Sequence, residues 1–281
     1  PLYVEGSLKA DSFEVEGNIS SQFITGLLYT LPLLDGDSEI VIKGPLESKG
    51  YVDLTLKILE MAGIEVKNND YKSFLIKGNQ TYKGFDYTVE GDYSQVAFWI
   101  VAGILSEEIN CKNVYKDSLQ GDRAIVEIVQ RMGANLEIND KNIKVFPGKT
   151  KGTVIDVSQC PDIAPVLTVL AALSEGETRI INAERLRIKE SDRITSMRTE
   201  LNKLGADIRE EGDTLVINGV DELEGGVTVD SWNDHRVAMA LAIASIKCKN
   251  PILITDAGAV RKSYPNFWND FVSMGGKVGE I

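Results

Sequence analysis

"LKILEMAGIEV", residues 56–66, reads as an amphipathic helix, a small residue with glycine, and a β-rich tail. The same design returns in "VEIVQRMGANLEI" (126–138), "MRTELNKLGADIRE" (197–210) and "FWNDFVSMGGKV" (267–278). The glycines Gly63, Gly133, Gly205 and Gly275 are 70, 72 and 70 residues apart, a period that points to a repeated structural unit. Between these helices lies a second kind, apolar around its whole circumference: residues 23–34, 96–105, 163–173 and 237–246. A helix without a polar face is expected to be buried on all sides. Each follows a polar turn, at residues 20–22, 92–95, 161–162 and 233–234, and Asp92, Asp162 and Asp234 fall where N-caps are expected.

Strand-like runs fill the gaps: "SEIVIKG" (38–44), "SFLIKG" (73–78), "NIKVFPG" (142–148) and "TLVINGV" (214–220). The unit reads βαβαββ, and sheets wrapped outside buried helices satisfy its burial pattern. A doubly wound parallel sheet fits less well, because short turns such as "NNDYK" and "INDKN" between paired strands indicate hairpins. The expected class is α/β (α+β), built from repeats of about 70 residues. "FPGKT" at 146–150 is not a phosphate-binding P-loop: the position five before Gly148 is Ile143, and the segment closes a repeat rather than opening a helix.

A chain of 281 residues, 43% hydrophobic and 26% charged, is long enough for a large core and two domains. Its formal charge of −12 argues against nucleic acid or an anionic membrane as partner. Three cysteines without a CxxC pair and one histidine, His235, argue against a zinc site and for a reducing, cytoplasmic setting. Apolar runs such as "VAFWIVAGIL" (96–105) are too short to span a bilayer. A start at Pro1 rather than Met suggests a fragment or a processed product.

"RIKESDRI" (187–194) carries Arg187, Lys189 and Arg193 around an expected helix start near Ser191, where the macrodipole disfavours cations. "SWNDHRVAMA" puts His235 and Arg236 after the Asn233-Asp234 turn, and "VRKSYPNFW" puts Arg261 and Lys262 ahead of the last helix. Three openings with one shared violation, in an acidic chain, point to a bound anion: helix N–H groups attract phosphate or carboxylate, and guanidinium groups add bidentate bonds. The competing account is local pairing, Lys189 with Asp192, Glu190 with Arg193 and Asp234 with Arg236.

At these residues the chain resembles a known family. "LRIKESDRI", "NDHRVAMA", "KSYPNFW", "GNISSQFITGLL", "ESKGYVDLTL" and "EGDYSQVAFW" are similar to signature segments of the EPSP synthases, the 3-phosphoshikimate 1-carboxyvinyltransferases. The resemblance implies an inside-out α/β barrel of βαβαββ units. It implies one remaining unit of the N-terminal domain in residues 1–88 and the C-terminal domain in residues 89–281. It also implies transfer of the enolpyruvyl group of phosphoenolpyruvate to the 5-hydroxyl of shikimate 3-phosphate, by a cytoplasmic monomer, with no metal or organic cofactor. By motif, Ser20, Ser21, Gln22, Ser48 and Tyr51 resemble contacts of the shikimate phosphate. Asp162 resembles a carboxylate at the substrate hydroxyls and a base for the 5-hydroxyl. Lys189 resembles a ligand bridging both substrates, and Glu190 the group that handles a proton at the enolpyruvyl methylene. Arg193, Arg236 and Lys262, with His235 beside them, resemble the phosphoenolpyruvate clamp.

Two departures stand out. Arg185 occupies a position where some members have Asn. The family's opening Lys-Ser and Arg segment and its "GNAGT"-like loop do not occur, so the chain alone is expected to be impaired or inactive. Two rival readings are the sister transferase acting on UDP-N-acetylglucosamine, which uses a reactive cysteine, and a non-catalytic half-site that holds anions without turnover.

Overall fold

The computed structural model describes residues 1–279. In chain order the elements are β1 (Ser12–Glu16), α1 (Ser21–Thr30), β2 (Ser38–Lys43), α2 (Lys49–Met61), β3 (Val66–Asn69), β4 (Ser73–Ile76), α3 (Tyr93–Leu105), β5 (Ile109–Lys112), α4 (Ala124–Arg131), β6 (Asn135–Ile138) and β7 (Asn142–Phe146). They continue with β8 (Val154–Asp156), α5 (Ala164–Ala172), β9 (Glu177–Ile181), α6 (Arg193–Lys203), β10 (Asp207–Glu211), β11 (Thr214–Asn218), β12 (Leu223–Gly225), β13 (Thr228–Asp230), α7 (His235–Ala244), β14 (Cys248–Asn250), β15 (Leu253–Thr255) and α8 (Phe267–Ser273).

The chain forms two compact units: residues 1–89 with 119–121, and residues 90–118 with 122 onward. Each has its own apolar core, one around Ile24, Leu28, Ile40 and Phe74, the other around α3, α5 and α7.

The repeat is visible in the sheets. The first unit holds one four-stranded sheet in the order β1-β2-β4-β3, and β8 to β11 repeat that order as β8-β9-β11-β10. In both, the first two strands are parallel and the last two form the hairpin that the short turns indicated. β5-β7-β6 is the same pattern without its first strand, and the last repeat opens into two parallel pairs, β12 with β14 and β13 with β15.

Helices that join parallel strands run back against them, so α1 and α2 both begin at the carboxyl ends of β1 and β2. By the same rule α5 and α6 begin at the carboxyl ends of β8 and β9. This brings the polar turns of one repeat to one edge, the edge where open α/β sheets bind ligands.

Three of the four apolar helices behave as their composition requires. All nine residues of α5 and all ten of α7 are buried, and α3, α5 and α7 pack against one another. The first differs. In α1 only Ser21, Ile24 and Leu28 are buried, while Phe23 is 60% exposed and Tyr29 is also exposed. Within its own unit α1 has one sheet face and α2 to lean on, and that covers a single stripe.

Candidate functional site

Asp162 is where the sequence reading needs its clearest correction. Asp92, Asp234 and Ser20 do cap helices, their side chains accepting from Ser94 N, Arg236 N and Gln22 N. Asp162 does not. It lies inside a short 3-10 turn, residues 161–163, that enters α5 without a side-chain cap. Freed from capping, its carboxylate meets three cations. Arg193 Nη1 donates to Oδ1 at 2.9 Å, Lys189 Nζ lies 3.4 Å from Oδ1, and Arg236 Nη2 lies 3.4 Å from Oδ2.

Helix α6 starts at Arg193, with Asp192 as its cap. Arg193 is 1% exposed and every nitrogen of its guanidinium is engaged. Nε donates to Asp234 Oδ2 at 2.9 Å, Nη1 to Asp162, and Nη2 to Glu190 Oε2 at 2.6 Å and to Asp234 Oδ1 at 3.3 Å. A cation at a helix start is tolerated here because three carboxylates surround it, and a planar five-donor group is the side chain that can serve them together. Of the local pairs expected, Glu190 with Arg193 forms. Lys189 reaches Asp162 instead of Asp192, and Asp192 is taken by Arg187. Arg187 itself turns to the β10–β11 hairpin, donating to Asp213, Glu210 and the Gly212 carbonyl at 2.8, 2.6 and 2.7 Å.

Burial pushes the Asp162 carboxyl up, but Arg236, Lys189 and Arg193 together outweigh it and hold the group well below the usual carboxylate range. Asp234, fully buried, is likewise held down against burial by its bonds to Arg193. His235 is lowered by burial and by Arg236, with Asp234 only partly opposing, so its imidazole is neutral at pH 7. Its Nδ1 and the Nε of Arg236 are buried without a hydrogen-bond partner among the described residues.

The third cation cluster is not at a helix opening. Arg261 and Lys262 end a 3-10 helix, residues 257–262, and α8 starts only at Phe267. Lys262 nevertheless joins the others, because its Nζ donates to the carbonyl of Asn233, directly before Asp234. Four cations, Lys189, Arg193, Arg236 and Lys262, thus gather around three carboxylates, Asp162, Glu190 and Asp234. Arg193 is locked, whereas the pairs of Lys189 and Arg236 with Asp162 are long, Lys189 and Asp162 being partly open to solvent and Arg236 buried. An arriving anion can take over those two without breaking a tight bond.

Sequence reasoning missed Ser94 and the Asn233 carbonyl. Ser94 holds Arg236 through its carbonyl at 3.3 Å and its Oγ at 3.1 Å. The repeat contained a signal for Ser94, since it stands two residues after the cap Asp92 as Arg236 stands two after Asp234.

In the first unit Ser20 caps α1, Ser21 is buried beside it, and Gln22 is exposed on the first turn. Ser48 precedes α2 with a left-handed φ of 54° and is buried, and its carbonyl accepts from Tyr51 N at 3.1 Å. Thr25 and Thr55 join the two helices through a 3.0 Å hydroxyl bond. The topology places both starts at one edge of the sheet, so these residues share that edge.

Cys111 and Cys160 are buried and their thiols are pushed up to about 12, the setting of inert packed cysteines. Among the described residues no group of His, Cys, Asp and Glu side chains could hold a metal ion, and no helix is long and apolar enough to cross a membrane.

Residues 1–271 match the family profile described as EPSP synthase (3-phosphoshikimate 1-carboxyvinyltransferase). A 3-phosphoshikimate 1-carboxyvinyltransferase of Clostridium novyi (strain NT) is 58% identical over 280 residues, covering 100% of this chain and 64% of that protein. One of Clostridium perfringens (strain 13 / Type A) is 59% identical, covering 99% of this chain and 66% of that protein. An EPSP synthase structure from Acinetobacter baumannii superposes with a TM-score of 0.80 at 25% identity, over 95% of this chain and 63% of that one. The chain therefore spans somewhat less than two thirds of its relatives' length.

Proposed function

The chain belongs to the EPSP synthase family, and from that premise we propose that it carries the phosphoenolpyruvate-binding and proton-handling groups of an enolpyruvyl transferase. The observation that supports this most is Asp162, one carboxylate held by three cations of which two are loosely engaged. In the proposed reaction the enolpyruvyl group of phosphoenolpyruvate passes to the 5-hydroxyl of shikimate 3-phosphate. A proton adds to the methylene carbon and the hydroxyl oxygen bonds to the adjacent carbon as it loses its own proton. Loss of a methyl proton with cleavage of the C–O bond to phosphorus then restores the double bond and releases phosphate.

Arg236 and Lys262 bind the anionic groups of phosphoenolpyruvate, with Arg193 and His235 behind them and Lys189 bridging toward the second substrate. Once an anion draws Lys189 and Arg236 away, Asp162 keeps only Arg193 of the three charges that hold it down and becomes a stronger base for the hydroxyl. Glu190 is assigned to carry the methylene proton, a role supported by its 43% side-chain exposure and its short bond from Arg193. The cations also stabilise the charge that develops as phosphate leaves. Ser20, Ser21, Gln22, Ser48 and Tyr51 of the first unit are assigned to the shikimate phosphate. The reading takes the enzyme to be a cytoplasmic monomer and invokes no metal or organic cofactor.

The sister transferase that uses a reactive cysteine is disfavoured, since both candidate thiols are buried and protonated. Isothermal titration of phosphoenolpyruvate tests the proposal. The expected result is binding heat in the wild-type chain and affinity weakened at least ~10-fold in Arg236→Ala, about the worth of one charged hydrogen-bonded contact. Equal affinity in the two proteins, or no heat in either, would overturn it.

A further inference from the structure

Two non-glycine residues in succession, Trp232 and Asn233, take left-handed backbone conformations with φ of 54° and 50°. Such a pair persists only where its surroundings over-determine it. Within the turn the Trp232 N donates to Asp230 Oδ1 and the Asp234 N to the Ser231 carbonyl, and from outside it the hold on Asp230 and Trp232 comes from Glu200, 1% exposed and two helical turns along α6 from Arg193. Glu200 Oε1 accepts from the Trp232 indole Nε1 at 2.9 Å, and Oε2 accepts from the Asp230 backbone N at 2.9 Å and from Lys203 Nζ at 2.7 Å. Helix α6 therefore grips the segment 230–234 at two points, Glu200 at its start and Arg193, through Asp234, at its end. Between the two grips the Asn233 carbonyl projects to Lys262.

We propose that Glu200 is a positioning residue: by fixing Asp230 and Trp232 it holds the left-handed turn in the one shape that presents the Asn233 carbonyl to Lys262, and so sets the ammonium in place for the anion. Asp234 has its own anchor in Arg193, so the lever acts on Lys262 and leaves the cap of α7 intact. The inference rests on the anion-binding reading above.

The test is a double-mutant cycle read by titration of phosphoenolpyruvate, with amide hydrogen exchange at Asp230 and Trp232 as a second readout. Glu200→Gln keeps the shape but sets an NH2 donor against groups that are themselves donors. It is expected to weaken binding about 10-fold and to speed exchange of the two amides at least ~10-fold. In the Lys262→Ala background the same substitution should cost no more than a further ~2-fold. Trp232→Phe, which removes the indole N–H together with the ring that carries it and leaves Glu200 in place, should weaken binding in the same direction should Glu200→Gln fold poorly. Lys203→Ala, which removes only the exposed partner, should leave affinity within ~2-fold. Full additivity with Lys262→Ala, or unchanged exchange at Asp230 and Trp232, would overturn the proposal. Absence of binding in the wild type would sink the anion-binding reading alone, because the exchange readout still decides whether Glu200 holds the turn.

Discussion

Arg193 gathers the carboxylates of Asp162, Glu190 and Asp234 on one guanidinium, and the histidine beside this cluster gives it a pH signature. Burial and Arg236 lower His235 from its ordinary 6.5, so the unfolded chain takes up that proton at a higher pH than the folded one. Stability contributed by the neutral imidazole is therefore lost as the pH drops below 6.5. Asp162 and Asp234 are held below 3.8, so their contribution is full above that pH and disappears as the pH falls through their folded-state values. Thermal melts across pH should show two separate declines. His235→Asn should remove the one that begins near pH 6.5 and leave the acid one, and a variant that keeps both would contradict the assignment. At this scale the sequence revealed that cations stood where a helix dipole disfavours them. It did not reveal that Arg193 faces inward to carboxylates from two other turns, because sequence distances of 31 and 41 residues carry no local signal.

Helix starts were legible where a polar residue precedes a fully apolar run, as at Asp92 and Asp234, and misleading at Asp162, where proline at 161 favours a 3-10 entry. The last cation pair was misplaced for a related reason: Arg261 and Lys262 belong to a 3-10 segment whose short period leaves no amphipathic stripe to read. Helix α6 depends strongly on its cap. Asp192 Oδ1 accepts from Ile194 N and Thr195 N, both at 3.1 Å, and Oδ2 accepts from Thr195 Oγ1 and Arg187 Nη1 at 2.9 and 3.2 Å. Asp192→Ala should lower stability by about 1–2 kcal/mol in urea titration, the upper range for a lost cap. A change under ~0.5 kcal/mol would show that packing of α6 alone suffices.

Across the molecule, the 70-residue glycine period carried most of the architecture, since two repeats return the same parallel pair and hairpin, a third keeps the hairpin without its first strand, and α3, α5 and α7 are inward helices. What a period cannot encode is which turns meet. That follows from three-dimensional stacking of α5, α6 and α7, the helices whose starts bring Asp162, Arg193 and Arg236 together. The central claim is that these starts, with Lys262, form one anion site. Crystals of the chain soaked in phosphoenolpyruvate address it most directly. The account predicts a single ligand whose anionic groups contact Arg236, Lys262 and Lys189, with Asp162 released from Arg236 and Lys189. A saturating soak that leaves those side chains paired as they are, with the ligand elsewhere or absent, would contradict it.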